Sequence, residues 1–273
     1  MPFHRTSPSP DLGYHWSWTW GHLILTTIFA AAASGALVLG AAWWLWAPLV
    51  AFTLWALAGF VVMRFVIRMN EISNLPTVSF LPAGEGTVLD IGCGTGRISI
   101  AMARARPAVK VTGLDNFSAD YIHDHGDSNT ERNFRLAGIS ERAVVQSGDM
   151  REMPFEDGSF DAAASCAAID HLEPADIPKT LSEVNRVLRP SGQFLLMVLV
   201  PNIWTLLAFG PLMHHGIGNR RYWRQTLADT GFTLDDEGTS GGIAWFLATS
   251  SAERPSLVQP GSGYARYGTK KAD

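Results

Sequence analysis

The stretch Val88-Leu89-Asp90-Ile91-Gly92-Cys93-Gly94-Thr95-Gly96 decides the fold. An apolar run ends in a carboxylate, and a turn follows with glycine at every second position. Residues without a Cβ let the backbone turn sharply and approach a ligand closely. The dinucleotide fingerprint needs Gly-x-Gly-x-x-Gly, its third glycine packing helix on strand. Arg97 holds that third position here. The alternating glycines therefore disfavour a nicotinamide enzyme.

Outward from the turn, strands and helices alternate, as a parallel sheet with crossovers requires. A helix over 97–105 ends before Pro107, and a strand over 109–115 closes on Asp115. A helix over 129–137 stops at Gly138, a strand covers 143–146, and Gly148-Asp149-Met150 follows it. Pro154 to Asp161 leads into a fourth strand, 162–167, and Arg186-Val187-Leu188-Arg189-Pro190-Ser191-Gly192 precedes a fifth, 193–199. Helices at 177–188 and 221–230 and strands near 233–237 and 243–248 complete the pattern.

This series resembles the class I S-adenosylmethionine-dependent methyltransferases, over roughly 87–250. The resemblance implies an α/β fold: a Rossmann-like, seven-stranded, mostly parallel sheet with helices on both faces, here preceded by a transmembrane helical hairpin. It implies S-adenosylmethionine as cofactor. Carried over by position, Asp90, Gly92, Cys93 and Gly94 would hold the methionine end, and Asp115 with Asn116 the ribose. Asp149 and Met150 would face the adenine, with Cys166 ending the fourth strand nearby. Ser191 stands where the family usually has a second glycine.

The hairpin is read from composition. Residues 23–63, 41 in a row, contain no Asp, Glu, Lys, Arg or His, about twice the length needed to cross a bilayer once. Pro48 interrupts the run, which predicts spans at 23–46 and 49–67 joined by a short turn at that proline. Trp16, Trp18 and Trp20 precede the first span, and Trp43, Trp44 and Trp46 end it. At 1.5 Å per residue the two clusters lie about 35 Å apart, near the spacing of the two membrane interfaces. A buried hairpin in a soluble protein and a signal peptide cleaved near Ala31-Ala32-Ala33 are the alternatives. Cleavage would carry the cofactor site away from the compartment that makes the donor, and it leaves the second span unexplained. Arg5, Arg64 and Arg68 flank the pair on one side, which places both ends in the cytoplasm under the positive-inside rule. The expected location is a bacterial-type inner membrane, with the catalytic domain cytoplasmic.

The domains read as 1–69 with the two spans, a linker over 70–86, the methyltransferase domain over 87–250, and a tail over 251–273 expected to be disordered. A net charge of −4 and four lysines leave no basic stripe for a phosphate backbone, which excludes nucleic acid as an expected partner. Cys93 and Cys166 are the only cysteines, too few for a disulfide framework or a cysteine-rich metal site. His123-Asp124-His125 with Asp127 reads as a solvated loop, or a lid, rather than a metal cluster. No metal and no obligate protein partner are expected.

In open α/β sheets, ligands gather beyond the carboxyl ends of the strands. The acceptor chemistry is therefore expected from Asp170 and His171 after the fourth strand, supplying or orienting a general base, and from His214 or His215 after the fifth. The apolar segment 203–213 reads as core packing or as a collar at the membrane interface. The expected activity is methyl transfer to a small lipophilic or membrane-delivered acceptor: a lipid, a quinone precursor, or a thiol or sulfide. The competing class is a non-catalytic membrane module that senses S-adenosylmethionine or binds a partner.

Overall fold

The computed structural model describes residues 9–13, 16–68, 71–72, 74–81, 83–119, 126–214 and 218–251, with the side chains at 18–19 and 212–214 outside that description. The loop holding His123 and His125, the residue His215 and the tail beyond 251 lie outside the described residues.

Helix α1 (Trp16–Val38) and helix α2 (Trp43–Val61) pack against each other, and α2 continues as a π-helical turn over Val62–Ile67. Measured as apolar spans, Trp20–Val38 has 19 residues and Trp43–Ile67 has 25. Both are long enough to cross a bilayer. The turn between them is not at Pro48. It lies at residues 39–42, where Gly40 takes φ 68 and its amide bonds the Leu37 carbonyl. Pro48 sits inside α2, only one turn in, where a missing amide costs one hydrogen bond to the Trp44 carbonyl and the helix survives. Large apolar side chains face outward along both helices, Ile28, Leu37, Phe52 and Leu54 among them, the last 62% exposed.

The sheet comprises β1 (Glu85–Ile91), β2 (Ala108–Asp115), β3 (Ala143–Ser147), β4 (Phe160–Cys166), β5 (Leu188–Val198), β6 (Phe232–Ser240) and β7 (Ile243–Ser250). Its order is β3-β2-β1-β4-β5-β7-β6, with β7 antiparallel to both neighbours and the other pairs parallel. The order reverses between β1 and β4, so the connections diverge there and leave a crevice at the carboxyl edge. Strand β5 starts earlier than the sequence predicts: Leu188 already pairs with Phe160, and the register shifts before Gln193 pairs with Ala162. Ser191 takes φ 63 in that irregular stretch, which is the backbone reason a glycine suits the position.

Helices α3 (Arg97–Ala105) and α4 (Asp127–Ala137) cover one face, with Phe80, Ile98, Phe134, Met197 and Trp245 in the core beneath. Helices α5 (Asp176–Val187) and α7 (Arg220–Asp229) cover the other, over Leu181, Phe194, Trp223 and Phe246. The linker is docked. Phe80 is fully buried, and Arg106 donates to the carbonyls of Val78, Phe80 and Leu81.

Helix α6 (Ile203–His214) follows β5 and breaks at Gly210, ahead of Pro211. Its Ala208 is buried with Val62, Met63 and Ile67 of the α2 extension, and the His22 Nε2 of α1 lies 2.8 Å from the Ala208 carbonyl oxygen. Of the two readings of this segment, neither stands alone: α6 packs a small core against the hairpin while Ile203 and Trp204 stay exposed.

Candidate active site

The glycine turn leaves β1 beneath the end of β4. Gly92, Gly94 and Gly96 all have positive φ. At Gly92 a Cβ would fall 2.2 Å from the Ala168 Cβ, so the loop after β4 closes to contact distance because no side chain intervenes. The turn is held from three sides. The Gly94 amide donates to Asp115 Oδ2 at 2.8 Å, and Thr130 of α4 donates to the Gly94 carbonyl at 2.6 Å. Asn133 donates to the Thr95 carbonyl at 2.9 Å.

Asn133 also grips the segment that precedes α1. It accepts from the Asp11 amide at 2.8 Å and donates to the Asp11 carbonyl at 2.6 Å, while Thr95 donates to the Leu12 carbonyl at 3.0 Å. Leu12 is buried there. Four positions before α1 begins, the chain is thus fastened to the glycine turn.

Between the turn, the end of β2 and the loop after β4 lies a cavity of about 360 Å³. Of the residues expected from the sequence, Gly92, Cys93, Gly94, Asp115, Asn116, Met150, Cys166 and His171 line it. Asp115 Oδ1 accepts from the Phe117 amide at 2.7 Å, so both its oxygens are oriented by backbone donors.

Two expected carboxylates sit elsewhere. Asp90 is buried behind the turn and is not on the cavity wall; its Oδ2 accepts from the Ser99 amide at 2.8 Å and the Ser99 hydroxyl at 2.6 Å. Burial pushes its carboxyl up to about 6, against the pull of Ser99. Asp149 is also off the wall, clasped by Arg151, whose Nε lies 3.0 Å from each carboxylate oxygen; the clasp holds its pKa below the usual range. Arg151 bridges on to Asp176 at 2.9 Å.

Asp170 and His171 form a short 3-10 turn over Ile169–His171. His171 is on the cavity wall. Asp170 turns toward β5, where Oδ2 accepts from the Leu199 amide at 3.1 Å, and Oδ1 is buried without a hydrogen-bond partner. Burial raises its pKa, with His171 opposing. The backbone of His214 ends α6, its side chain outside the description together with all of His215. Among the described residues, no three His, Cys, Asp or Glu side chains gather as a metal site.

The sequence reading missed Thr95, Arg97, Ser118, Ala168 and Leu172 on the wall. Arg97 carried a signal, since a long basic side chain replaced the small residue of the dinucleotide pattern. Arg97 is a buried residue and its Nη2 lies 3.4 Å from Cys166 Sγ. The thiol itself is pushed up by burial, with Arg97 opposing.

The family model described as a methyltransferase domain matches residues 88–192. A sterol 4-C-methyltransferase of Caenorhabditis elegans is 32% identical over 112 residues, covering 41% of this chain and 30% of that protein. A ubiquinone/menaquinone biosynthesis C-methyltransferase of Citrifermentans bemidjiense is 35% identical over 132 residues, covering 48% of this chain and 52% of that protein. The chain thus spans about half or less of the length of these curated relatives. The structure of an O-methyltransferase family protein from Burkholderia thailandensis superposes with a TM-score of 0.54 at 14% identity, over 74% of this chain and 61% of that one, a likeness of fold. The sequence likeness falls on the glycine turn and the strands around it, and the likeness of fold is to methyltransferase structures; residues 88–192 are a methyltransferase domain, similar to that of S-adenosylmethionine-dependent methyltransferases, whose cofactor is S-adenosylmethionine.

Proposed function

We propose that the protein is a membrane-anchored methyltransferase that passes the methyl group of S-adenosylmethionine to a lipophilic acceptor delivered from the bilayer. One observation carries this reading: the carboxyl edge of the sheet, where the cavity opens, is fastened to the apolar hairpin. Residues 11–12 tie the glycine turn to the start of α1, and α6 packs its Ala208 into the α2 extension. The outward apolar side chains of α1 and α2 would be costly in water and are at home in lipid. Arg64 and Arg68 at the end of α2 fit a cytoplasmic catalytic domain. The sterol and quinone-pathway enzymes among the relatives are named for lipophilic substrates. We assign the hairpin to residues 16–67 and the catalytic domain to about 85–250.

The cavity suits the cofactor. With no side chain at Gly92 the loop after β4 closes on the glycine turn and shapes the cavity, and a carboxylate oriented by two amides stands at the end of β2. When bound, S-adenosylmethionine supplies an electrophilic methyl carbon whose bond to sulfur breaks, with its electron pair, as the acceptor atom bonds to the carbon. Asp115 and Asn116 would take the ribose hydroxyls, and the glycine turn with Cys93 the methionine end. Met150 would take the adenine. Asp90 acts as a positioning residue, fixing Ser99 of α3 behind the turn, and Asp149 fixes Arg151. His171 would accept the acceptor's proton where there is one, with Asp170 beside it held by the Leu199 amide; His214 and His215 remain candidates for the same acceptor side.

The test is transfer of labelled methyl from S-adenosylmethionine to a membrane extract, using the full-length protein in lipid nanodiscs. Label is expected in the organic phase, and label confined to water-soluble molecules would overturn the reading. Asp115→Asn removes one charged acceptor and should weaken cofactor binding by calorimetry at least tenfold, since a hydrogen bond to a charged group contributes about 1.5–3 kcal/mol.

A further inference from the structure

A second cavity, of about 490 Å³, lies beside the first. Its outer wall is the exit of the hairpin: Phe65 and Val66 of the α2 extension, Arg68 just after it, and Ile72 and Leu75 of the linker. Its inner wall is the sheet face at Met197, Ile243 and Trp245. Three residues, Arg97, Ile98 and Cys166, line both cavities and form the partition between them. Among the described residues, the same three are the walls of the second cavity that lie within residues 88–192; the other walls come from the hairpin exit, the linker or the sheet beyond residue 192. The matched domain thus supplies the first cavity and the shared wall, and the parts of the chain outside the matched residues supply the rest of the chamber.

We propose that this chamber is the acceptor site and that it takes a long-chain amphiphile with an acidic hydroxyl, a phenol or an enol, as its head group. The assignment rests on the methyltransferase reading above. Three properties lead to it. The chamber begins where α2 ends, so a molecule entering from the bilayer along Phe65 and Val66 reaches it without crossing water. The chamber has the volume of a pocket for a drug-sized molecule, enough for a ring and the first part of a chain, while the rest of the chain stays in lipid. At the partition the one cation shared by both cavities is Arg97, whose planar fork of donors suits an oxyanion or an acidic hydroxyl. Arg97 is a buried residue, 8% exposed, and the low dielectric around it strengthens that contact. The head group then lies against Cys166 where Arg97, Ile98 and Cys166 line both cavities, so its oxygen meets the methyl group at that junction, in the cavity whose wall also carries His171.

Gly241 marks how closely the chamber roof is built. It takes φ 56, and a Cβ there would fall 3.0 Å from the Val66 carbonyl oxygen, so the β6–β7 turn closes on the α2 extension. Glu71 draws the linker in by ion pairs with Arg64, at 3.2 Å, and Arg68.

The experiment uses the full chain in phosphatidylcholine nanodiscs and a probe, an alkylphenol with a diazirine in its chain. Its methyl ether, which lacks the acidic proton, is the control. Photolabelling mapped by mass spectrometry is expected on Phe65, Ile72, Leu75 or Ile243, with the phenol labelling at least tenfold more efficiently than the ether. Leu75→Trp should fill the chamber and cut labelling at least fivefold while S-adenosylmethionine binding, read by calorimetry, stays within threefold. Arg97→Gln should erase the preference for phenol over ether, and Arg97→Lys should keep part of it. Label confined to the outer faces of α1 and α2, or a preference that survives Arg97→Gln, would overturn the proposal. So would a collapse of cofactor affinity in Arg97→Gln, which would give Arg97 to the donor. Absence of cofactor heat in the wild type instead refutes the methyltransferase reading, whatever the labelling shows.

Discussion

Replacing Gly92 by alanine probes the glycine turn where it is tightest. The residue has φ +69, and a Cβ there would lie 2.2 Å from the Ala168 Cβ and 3.3 Å from the Met150 Cε. Holding a residue with a side chain in the left-handed region costs about 1–2 kcal/mol. Overpacking against Ala168 adds about 1–3 kcal/mol. If the turn escapes this by leaving its binding conformation, the full sum, about 2–5 kcal/mol, is charged to cofactor binding, a loss of roughly 30-fold to several thousand-fold in affinity. Ala168→Gly separates the two contributions. It deletes the 2.2 Å contact and leaves the Ala168 Cα at 3.7 Å, an ordinary distance. The double variant should therefore keep only the backbone cost, about 5- to 30-fold. Titration calorimetry of S-adenosylmethionine into the full-length protein reads all three. A single variant that binds within threefold of wild type, or a double variant with no recovery, would refute this account of the turn.

Further outcomes follow from named contacts. Asp90 carries a carboxyl raised from 3.8 to about 6 in the folded protein, so the native state binds more protons than the unfolded state between those values. Wild-type stability should fall relative to Asp90→Asn as pH rises from 4 to 6 and then level, by about 3 kcal/mol; paired thermal melts across that range check the sign, and a flat difference would refute it. Asn133→Ala removes both hydrogen bonds to Asp11 and the one to the Thr95 carbonyl, which should lower stability by about 1–3 kcal/mol and speed proteolysis ahead of α1. Ser191→Gly relieves the φ 63 backbone and should stabilise by about 1 kcal/mol, read as a higher melting temperature. Leu54→Arg places a charge on the exposed face of α2 and should cost about 2.5–3.5 kcal/mol of insertion, so less protein should resist an alkaline carbonate wash; unchanged retention would argue against a span.

Most of the fold was legible in the sequence because it rests on local rules. Alternating strands and helices dictate a parallel sheet, glycines at every second position dictate the turn, and 41 residues without charge dictate an apolar hairpin. The errors of detail have local causes as well. Pro48 was read as a break because a proline interrupts an apolar run, yet one turn inside a helix it removes a single bond, and Gly40 supplied the backbone reversal.

What tertiary structure decided is which groups face which space. Asp90 and Asp149 sit at the expected sequence positions, but Ser99 and Arg151 occupy them, and neither is on the wall of the cavity beside the glycine turn. Arg97 departs from the dinucleotide pattern in the sequence, but it lines two cavities at once only when α3 is set against Cys166. No pattern in the sequence announces that residues 11–12 clasp the glycine turn, 83 positions away from Thr95, or that α6 fills a gap beside α2. Sequence patterns determine elements because backbone preference and hydrophobic period act over a few residues. Cavities arise where elements distant in the chain fail to fill space between them, and that is settled only by packing.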